Sequence, residues 1–514
     1  MAKAAIKDLA AKTAEKENRL TWQILLVGLL LVPLLTGVMV VKHYSPALMG
    51  AISDTGLKAE IFTTLKWYAL LAVTVVSLLY FSLRLITRSV AIRPGYSSLC
   101  LGLLFLLALI SLLLSDYKGI ALYGFYDMRD GTLTWLCFLL LGLIAASSRF
   151  PLRLERPLQV ILGLIALINC VLGLCLFLGV RLEQNAAFMK LLLLGQKFDV
   201  SSSGRIYGTI SNPNYLSALG SVLALFFLVC AVNAPTRKQA ALFLLPVFCG
   251  FSVILTSIST SGYATLAAGV ILLAVFGFLS AFSRREFLLR MAVAAVLFGA
   301  MFGLYSLHHP LVASLPARSA KIVVQAAAQT AGEVQKFFRL PTALAAGDPQ
   351  TKTPAEPELS LAEPIHTFGN NRGYIWQQTW QLIQKRPIFG YGLGTLAYYF
   401  SYGTRDFFAH RDNTNEVVSK AHNFYLDIGF GCGLPALIVL LALFALFFLR
   451  EHPPLKPDLT PDGLPRRETT LRFAGWLCCV SLMVQFLVND QSIALGIIFW
   501  LLMGLCLSLS RGDA

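Results

Sequence analysis

Five short polar stretches interrupt an otherwise apolar 514-residue chain, and each holds groups able to bind or activate a substrate. The first runs from Gly204 to Tyr215 and contains Arg205, Gly208-Thr209 and Asn212-Pro213-Asn214-Tyr215. Pro213 suits the first position of a helix with Asn212 as its cap. The positive end of that helix, together with Arg205, makes an anion site. The plainer alternative is a capped helix with an arginine snorkelling to the membrane interface. The second stretch is Asn371-Arg372-Gly373-Tyr374-Ile375-Trp376. It places an arginine where a helix is expected to begin, which opposes the macrodipole unless an anion sits there. The third is Lys420-Ala421-His422-Asn423-Phe424-Tyr425-Leu426-Asp427. Its histidine belongs to the side-chain type that takes up a proton near neutral pH. Asp427 lies about 140° further around a helix, off the histidine's face. The fourth, Ser257 to Tyr263, and the fifth, Val488-Asn489-Asp490-Gln491, read as turns that can touch a polar substrate. Asp127-Met128-Arg129-Asp130-Gly131 can hold a headgroup or form a surface ion pair.

The elements that position these residues are membrane helices. The chain is 56% hydrophobic and 13% charged, with mean hydropathy +0.69. Soluble domains carry roughly 25% charged residues. Runs of about 20 apolar residues predict twelve spans, at 22–41, 64–86, 97–115, 131–148, 157–180, 212–234, 239–257, 261–281, 287–306, 423–449, 470–488 and 493–510. Residues 1–21 lack the pattern of a cleavable signal peptide, so the first run is expected to stay as an anchor. The ten cysteines fall in or beside apolar runs without a Cys-x-x-Cys pair, so neither a zinc site nor a disulfide framework is indicated. His308-His309 lacks a nearby carboxylate and is not read as a metal site. There is no Walker motif.

The net charge of +15 is read as orientation rather than nucleic-acid binding. With the N-terminus inside, the inner segments hold 22 Lys and Arg and the short outer loops 9. Both termini are then cytoplasmic, and residues 307–421 form one large outer loop. This divides the chain into a membrane region 1–306, a loop domain 307–421 with interfacial helices, and a membrane region 422–514. Within the loop, 317–340 reads as helix and 341–365, rich in Ala, Pro, Thr and Glu, as a linker. A helix over 372–385 carries Trp376, Trp380 and Ile383 at helical spacing, which suits the bilayer surface. Arg386-Pro387 ends it, and Gly390, Gly392 and Gly394 make a turn.

These motifs, in this order, resemble the O-antigen ligase and polymerase superfamily, membrane glycosyltransferases with a Wzy-type C-terminal region. The resemblance spans roughly residues 120–510. It rests on Arg205 with Gly208-Thr209 and Asn212-Pro213-Asn214, on Asn371 to Trp376, on Arg386-Pro387 with Phe389-Gly390-Tyr391-Gly392, and on Ala421-His422-Asn423. It implies an all-α, polytopic, GT-C-like fold in the bacterial inner membrane, with the site facing the periplasm. The implied reaction moves a glycan from undecaprenyl diphosphate to an acceptor hydroxyl, on a lipid A-core-like glycolipid or another glycan, without metal or other cofactor. Arg205 and Arg372 are implied to hold the diphosphate and His422 to act on the acceptor hydroxyl. Asp490 is a further carry-over. Around them Asn212, Asn214, Tyr215, Tyr374, Trp376, Tyr391, Lys420, Asn423, Asp427 and Arg129 are expected to bind substrate. Many relatives carry Ser-Arg-Gly where this chain has Thr260-Ser261-Gly262, so Arg129 or Lys420 is expected to supply the missing charge.

The chemistry is consistent with that set. Fixed guanidinium groups stabilise the charge that develops on a departing lipid diphosphate. A base raises the nucleophilicity of the acceptor hydroxyl by roughly 10²–10⁴-fold, and a single attack at the anomeric carbon inverts it. A ligase is the first reading and a repeat-unit polymerase the second. A protein O-oligosaccharyltransferase is disfavoured by the short C-terminus. A bicarbonate-type transporter would need its polar groups near the bilayer midplane.

Overall fold

The computed structural model describes residues 2–42, 57–180, 182–192, 208–210, 212–320, 368–402 and 417–510. Every predicted apolar run overlaps a helix. These are α1 (Ala2–Leu34), α2 (Thr64–Ile86), α3 (Tyr96–Leu114), then, after α4 (Lys118–Tyr123), α5 (Thr132–Ser147) and α6 (Glu155–Phe177). Beyond the short α7 (Ala186–Leu192) come α8 (Pro213–Val232), α9 (Arg237–Ser257), α10 (Thr260–Ser280) and α11 (Arg284–His308). The short α12 (Pro310–Ala313) follows. The later elements are α13 (Phe368–Lys385), the short α14 (Leu396–Tyr399), α15 (Phe424–Arg450), α16 (Arg467–Gln485) and α17 (Ile493–Leu509). Among the described residues eight helices are long and apolar enough to cross a membrane; α5 and α17 are apolar but shorter.

Two expectations about the first spans need correction. The run 22–41 does not stay helical to its end: α1 stops at Leu34, and Met39–Lys42 forms a strand paired antiparallel with Leu57–Glu60. The β-branched Val38, Val40 and Val41 after Gly37 favour extended backbone over helix. Lys66, one of the nine Lys and Arg residues expected in the short outer loops, lies inside α2 and is buried. Of the predicted loop helix 317–340, the described residues 317–320 are helical. Residues 321–340 and 341–365 lie outside the described residues.

Helix α8 is buried along its whole length and forms the centre of the bundle. It meets α9 through facing glycines: a Cβ on Gly220 would stand 2.8 Å from the Gly250 carbonyl oxygen, and one on Gly250 2.7 Å from that of Gly220. Small residues permit this close approach where lipid offers no hydrophobic drive between helices. Gly262 brings α10 equally close to Ser217 of α8. Helix α17 is also enclosed, against α5 and α16. By contrast α2, α3, α6 and α11 carry exposed leucines and valines on their outer faces, as a lipid-facing layer requires. The ten cysteines are unpaired, and all but the half-buried Cys175 are buried, consistent with small apolar helix residues.

Helix α15 is interrupted where the loop region docks. Gly433 has φ 84° and ψ 171°, and Pro435 follows within the helix. The turn predicted at Gly390–Gly394 fills the gap, each of its three glycines having positive φ. Tyr391 and Gly392 donate their backbone N–H to the carbonyls of Phe430 and Gly431, both at 2.9 Å, and Leu434 donates to Pro387 at 2.7 Å. The carbonyls freed by the break are thus satisfied by protein, as an apolar medium demands. Ser111 of α3 donates to the Gly431 carbonyl at 2.5 Å, and Ser115 to that of Tyr391 at 2.6 Å.

Candidate functional site

Three chain segments meet at one end of the bundle: the start of α8, the approach to α15, and the turn between α16 and α17. Asp490, in that turn, is their common point and is 2% exposed. Its Oδ1 accepts a 2.5 Å hydrogen bond from the Tyr215 hydroxyl and lies 3.6 Å from His422 Nδ1. Its Oδ2 lies 2.5 Å from Lys420 Nζ, which is also 3.5 Å from Asp130. Arg372 reaches the same turn from α13. It donates to the Val488 carbonyl and, at 3.4 Å, to Asn489 Oδ1.

Local sequence explains how these groups are presented. Asn212 caps α8 by accepting from the Asn214 N–H at 2.8 Å, with Pro213 at the first position, as expected. This sets Tyr215 one turn in and facing the bundle interior. Asn423 caps α15 through the Leu426 N–H at 3.1 Å and ties it to the neighbouring turn through the Leu487 carbonyl at 2.9 Å. His422 just before the cap has φ 53°, in the left-handed region. For a residue other than glycine that conformation costs of order 1–3 kcal/mol and persists only where the surroundings enforce it. The ring is about one-third exposed, so one edge faces Asp490 and another faces outward.

The electrostatics follow from burial and pairing. Burial opposes the charge on Asp490, but Lys420 and His422 hold its carboxyl well below the usual carboxylate range. Burial equally opposes the charge on Lys420, yet Asp490 and Asp130 hold it well above the ordinary lysine value. Burial lowers Arg372 from its usual value, with Asp490 acting in the other direction. Asp127 is raised to about 6 by burial and then by Asp130. A narrow cavity of about 30 Å³ opens beside the Lys420–Asp490 pair. Gln491 lines it, and neither polar atom of its buried side chain has a hydrogen-bond partner.

Other expected site residues take different places. Lys420 is 4% exposed and consumed by its two carboxylates, so it supplies internal neutralisation rather than a free cation. Asp130 is correspondingly an interior partner, not part of a surface ion pair. Arg129 lies apart from the turn, its guanidinium 5.3 Å over the Trp67 ring. Asp427, expected off the histidine's face, turns back to accept the Ala421 N–H at 2.9 Å and so braces the His422 backbone. Tyr374 and Tyr391 are packed in a cluster with Ile383, Phe400 and Phe430. The Tyr391 ring stacks on Phe430 and its hydroxyl donates to the Leu382 carbonyl at 3.1 Å. Trp376 donates its indole N–H to the Ala421 carbonyl at 2.9 Å, holding α13 against the histidine segment. Helix α13 buries Tyr374, Ile375, Thr379 and Ile383, whereas Trp380 is exposed. It begins at Phe368, so Arg372 sits a turn inside and the dipole argument for an anion there loses force. Asn214 accepts from Ser259 at 2.7 Å, and Ser259 shares a 2.9 Å bond with Ser261.

Arg205 lies outside the described residues. The segment that follows it is anchored: Thr209 donates its N–H to Asn169 Oδ1 at 2.9 Å, and its carbonyl accepts from Lys66 at 2.8 Å. Lys66 and Asn169 were not among the sequence candidates. The signal available was a charged or amide residue inside an apolar run, which is costly there and marks a specific partner.

This arrangement can do acid–base chemistry. A carboxylate that is buried, charged and hydrogen-bonded can orient a partly exposed imidazole and stabilise its protonated form. An arginine on the same turn supplies fixed positive charge nearby. No curated protein matches the chain. Residues 223–441 match the family model described as O-antigen ligase; the match includes Arg372, Lys420 and His422 and stops short of Tyr215 and Asp490. The match covers under half of the chain and supports a place for residues 223–441 in the O-antigen ligase and polymerase superfamily, whose members are membrane glycosyltransferase-like enzymes.

Proposed function

We propose that the chain is a glycan ligase of twelve spans and GT-C-like layout, with both termini in the cytoplasm and the Asp490 site facing the periplasm. It moves a glycan from undecaprenyl diphosphate to a hydroxyl of a lipid A-core-like acceptor. The supporting observation is the convergence of Tyr215, Lys420 and His422 on Asp490, with Arg372 on the adjoining residues.

In this reading His422 takes the acceptor hydroxyl proton as the new carbon–oxygen bond forms at the anomeric carbon. The bond from that carbon to the donor phosphate breaks, and its electron pair leaves with the diphosphate. Asp490 holds the imidazole ring and offsets its positive charge once the proton has moved. Lys420 keeps Asp490 ionised in the interior. Arg372 and Arg205 stabilise the departing diphosphate, where fixed donors in a low-dielectric site act most strongly. Repeat-unit polymerisation would use the same groups, since both reactions break the same bond.

The test uses full-length protein with purified lipid-linked donor and acceptor. Transfer to lipid A-core supports the ligase, and a longer chain still on undecaprenyl diphosphate supports the polymerase. Solute uptake without a glycan product would remove the enzyme reading. His422→Ala is expected to lower turnover at least 10²-fold while the protein inserts normally. Wild-type turnover in His422→Ala, Arg205→Ala and Arg372→Ala would overturn the site.

A further inference from the structure

The other end of α15 carries a second polar cavity, of about 360 Å³, remote from Asp490 along that helix. Its walls come from four places in the chain: Arg93 and Tyr96 at the start of α3, Arg450 and Glu451 at the end of α15, Arg472 in α16, and Ser510 after α17. Three guanidiniums therefore face one carboxylate. Arg93 donates to Ser510 at 3.0 Å through one nitrogen, while its Nη1 is buried without a hydrogen-bond partner. The Arg450 guanidinium lies 5.3 Å over the Tyr96 ring. Arg472 donates to the His452 carbonyl at 3.2 Å. Glu451 is 3% exposed; its Oε1 accepts from the Tyr96 hydroxyl at 3.2 Å, and its Oε2 is buried with no hydrogen-bond partner.

Two unmet demands thus share one cavity. The partnerless Nη1 of Arg93, with the Arg450 and Arg472 guanidiniums lining the same cavity, calls for an anion rich in acceptor oxygens, which phosphate supplies. The bare carboxylate oxygen calls for a donor on the same ligand, because a simple anion placed beside it would be repelled. A phosphodiester with a terminal ammonium or hydroxyl meets both demands at once. The surroundings favour a lipid source. Tyr96 begins a stripe of α3 that continues through Leu99, Leu103 and Leu106 at helical spacing, 65%, 39% and 52% exposed. That stripe runs from the cavity along the outer face of the bundle, where an acyl chain can lie. We propose that this cavity holds a phospholipid headgroup, its phosphate on Arg93, Arg450 and Arg472 and its terminal donor on Glu451.

The experiment is native mass spectrometry of the full-length protein in detergent, titrated with phosphatidylethanolamine, phosphatidylglycerol and phosphatidylcholine. Choline has no N–H or O–H to offer Glu451, so the first two lipids are expected to be retained about tenfold or more over the third. The joint variant Arg93→Gln with Arg472→Gln should lose retention of all three, and Glu451→Gln should narrow the preference. Equal retention of the three lipids by the wild-type protein overturns the proposal, and that measurement needs no variant to fold. Unchanged retention in a monodisperse arginine variant overturns it as well. Phosphoethanolamine or glycerol 3-phosphate displacing bound lipid at equal concentration would assign the cavity to a soluble phosphate ester and reject the lipid.

Discussion

Replacing Asp490 with asparagine removes one negative charge and keeps the side chain's shape. In the native site that charge faces Lys420 at 2.5 Å, His422 at 3.6 Å and the Tyr215 hydroxyl at 2.5 Å. Lys420 is 4% exposed, so after the change its closest remaining counter-ion is Asp130, at 3.5 Å, with Asp427 acting more weakly. Removing one partner from a buried ion pair costs about 3–5 kcal/mol, because the remaining charge stays desolvated. The residual attraction of Asp130 places the expected loss at the lower end of that range. Catalysis should fall separately, since the protonated His422 loses the carboxylate that stabilises it; a drop of 10²-fold or more is expected where general-base help is worth 10²–10⁴-fold. The two effects can be separated. Adding Lys420→Met to Asp490→Asn removes the stranded cation, so the thermal unfolding midpoint in detergent should recover most of its loss. Glycan transfer should stay low. If Asp490→Asn keeps both the wild-type midpoint and wild-type turnover, the carboxylate is not the hub described above. If the double variant regains turnover along with stability, Asp490 acts only through folding, and the histidine–carboxylate reading fails.

Other consequences are simpler. Asp127 is raised to about 6 by burial, so its folded state binds a proton more tightly than its unfolded state does. Its contribution therefore weakens as pH rises from about 4 to about 6. Asp127→Asn should raise the unfolding midpoint at pH 7 and lose that advantage near pH 4; a difference independent of pH would refute the assignment. Gly433→Ala should destabilise the docking of the loop onto α15, because the residue has φ 84° and its Cβ would stand 2.1 Å from the Ile388 carbonyl oxygen. Wild-type thermal stability in that variant would contradict the packing. Trp376→Phe keeps an aromatic ring but loses the indole N–H and its hydrogen bond to the Ala421 carbonyl. It should weaken transfer more than it lowers the unfolding midpoint, and an equal effect on both would make the tryptophan purely structural.

Much of the architecture can be read from the chain alone, because a lipid solvent imposes a local rule. Any span must satisfy its own backbone and present about 20 apolar residues. Such runs are visible without knowing what they pack against: each of the twelve overlaps a helix, and among the described residues eight of those helices are long and apolar enough to cross a membrane. Caps are local as well, so Asn212 with Pro213 could be identified from spacing. So could the types of residue able to do the chemistry: an imidazole and guanidiniums beside span ends. What sequence could not decide was pairing across long separations. From sequence Lys420 reads as a free cation for the substrate, whereas Asp490 and Asp130 enclose it. Helical spacing puts Asp427 off the face of His422, but His422 has φ 53° and lies before the helix begins, so that spacing does not hold across it. Tyr391 resembled a ligand contact, yet its ring and the turn around it fill the break in α15. Each of these outcomes depends on which segments share a desolvated volume. Charge and hydrogen bonding there are settled by neighbours far away in the sequence or by backbone that departs from regular geometry, and no local pattern encodes either.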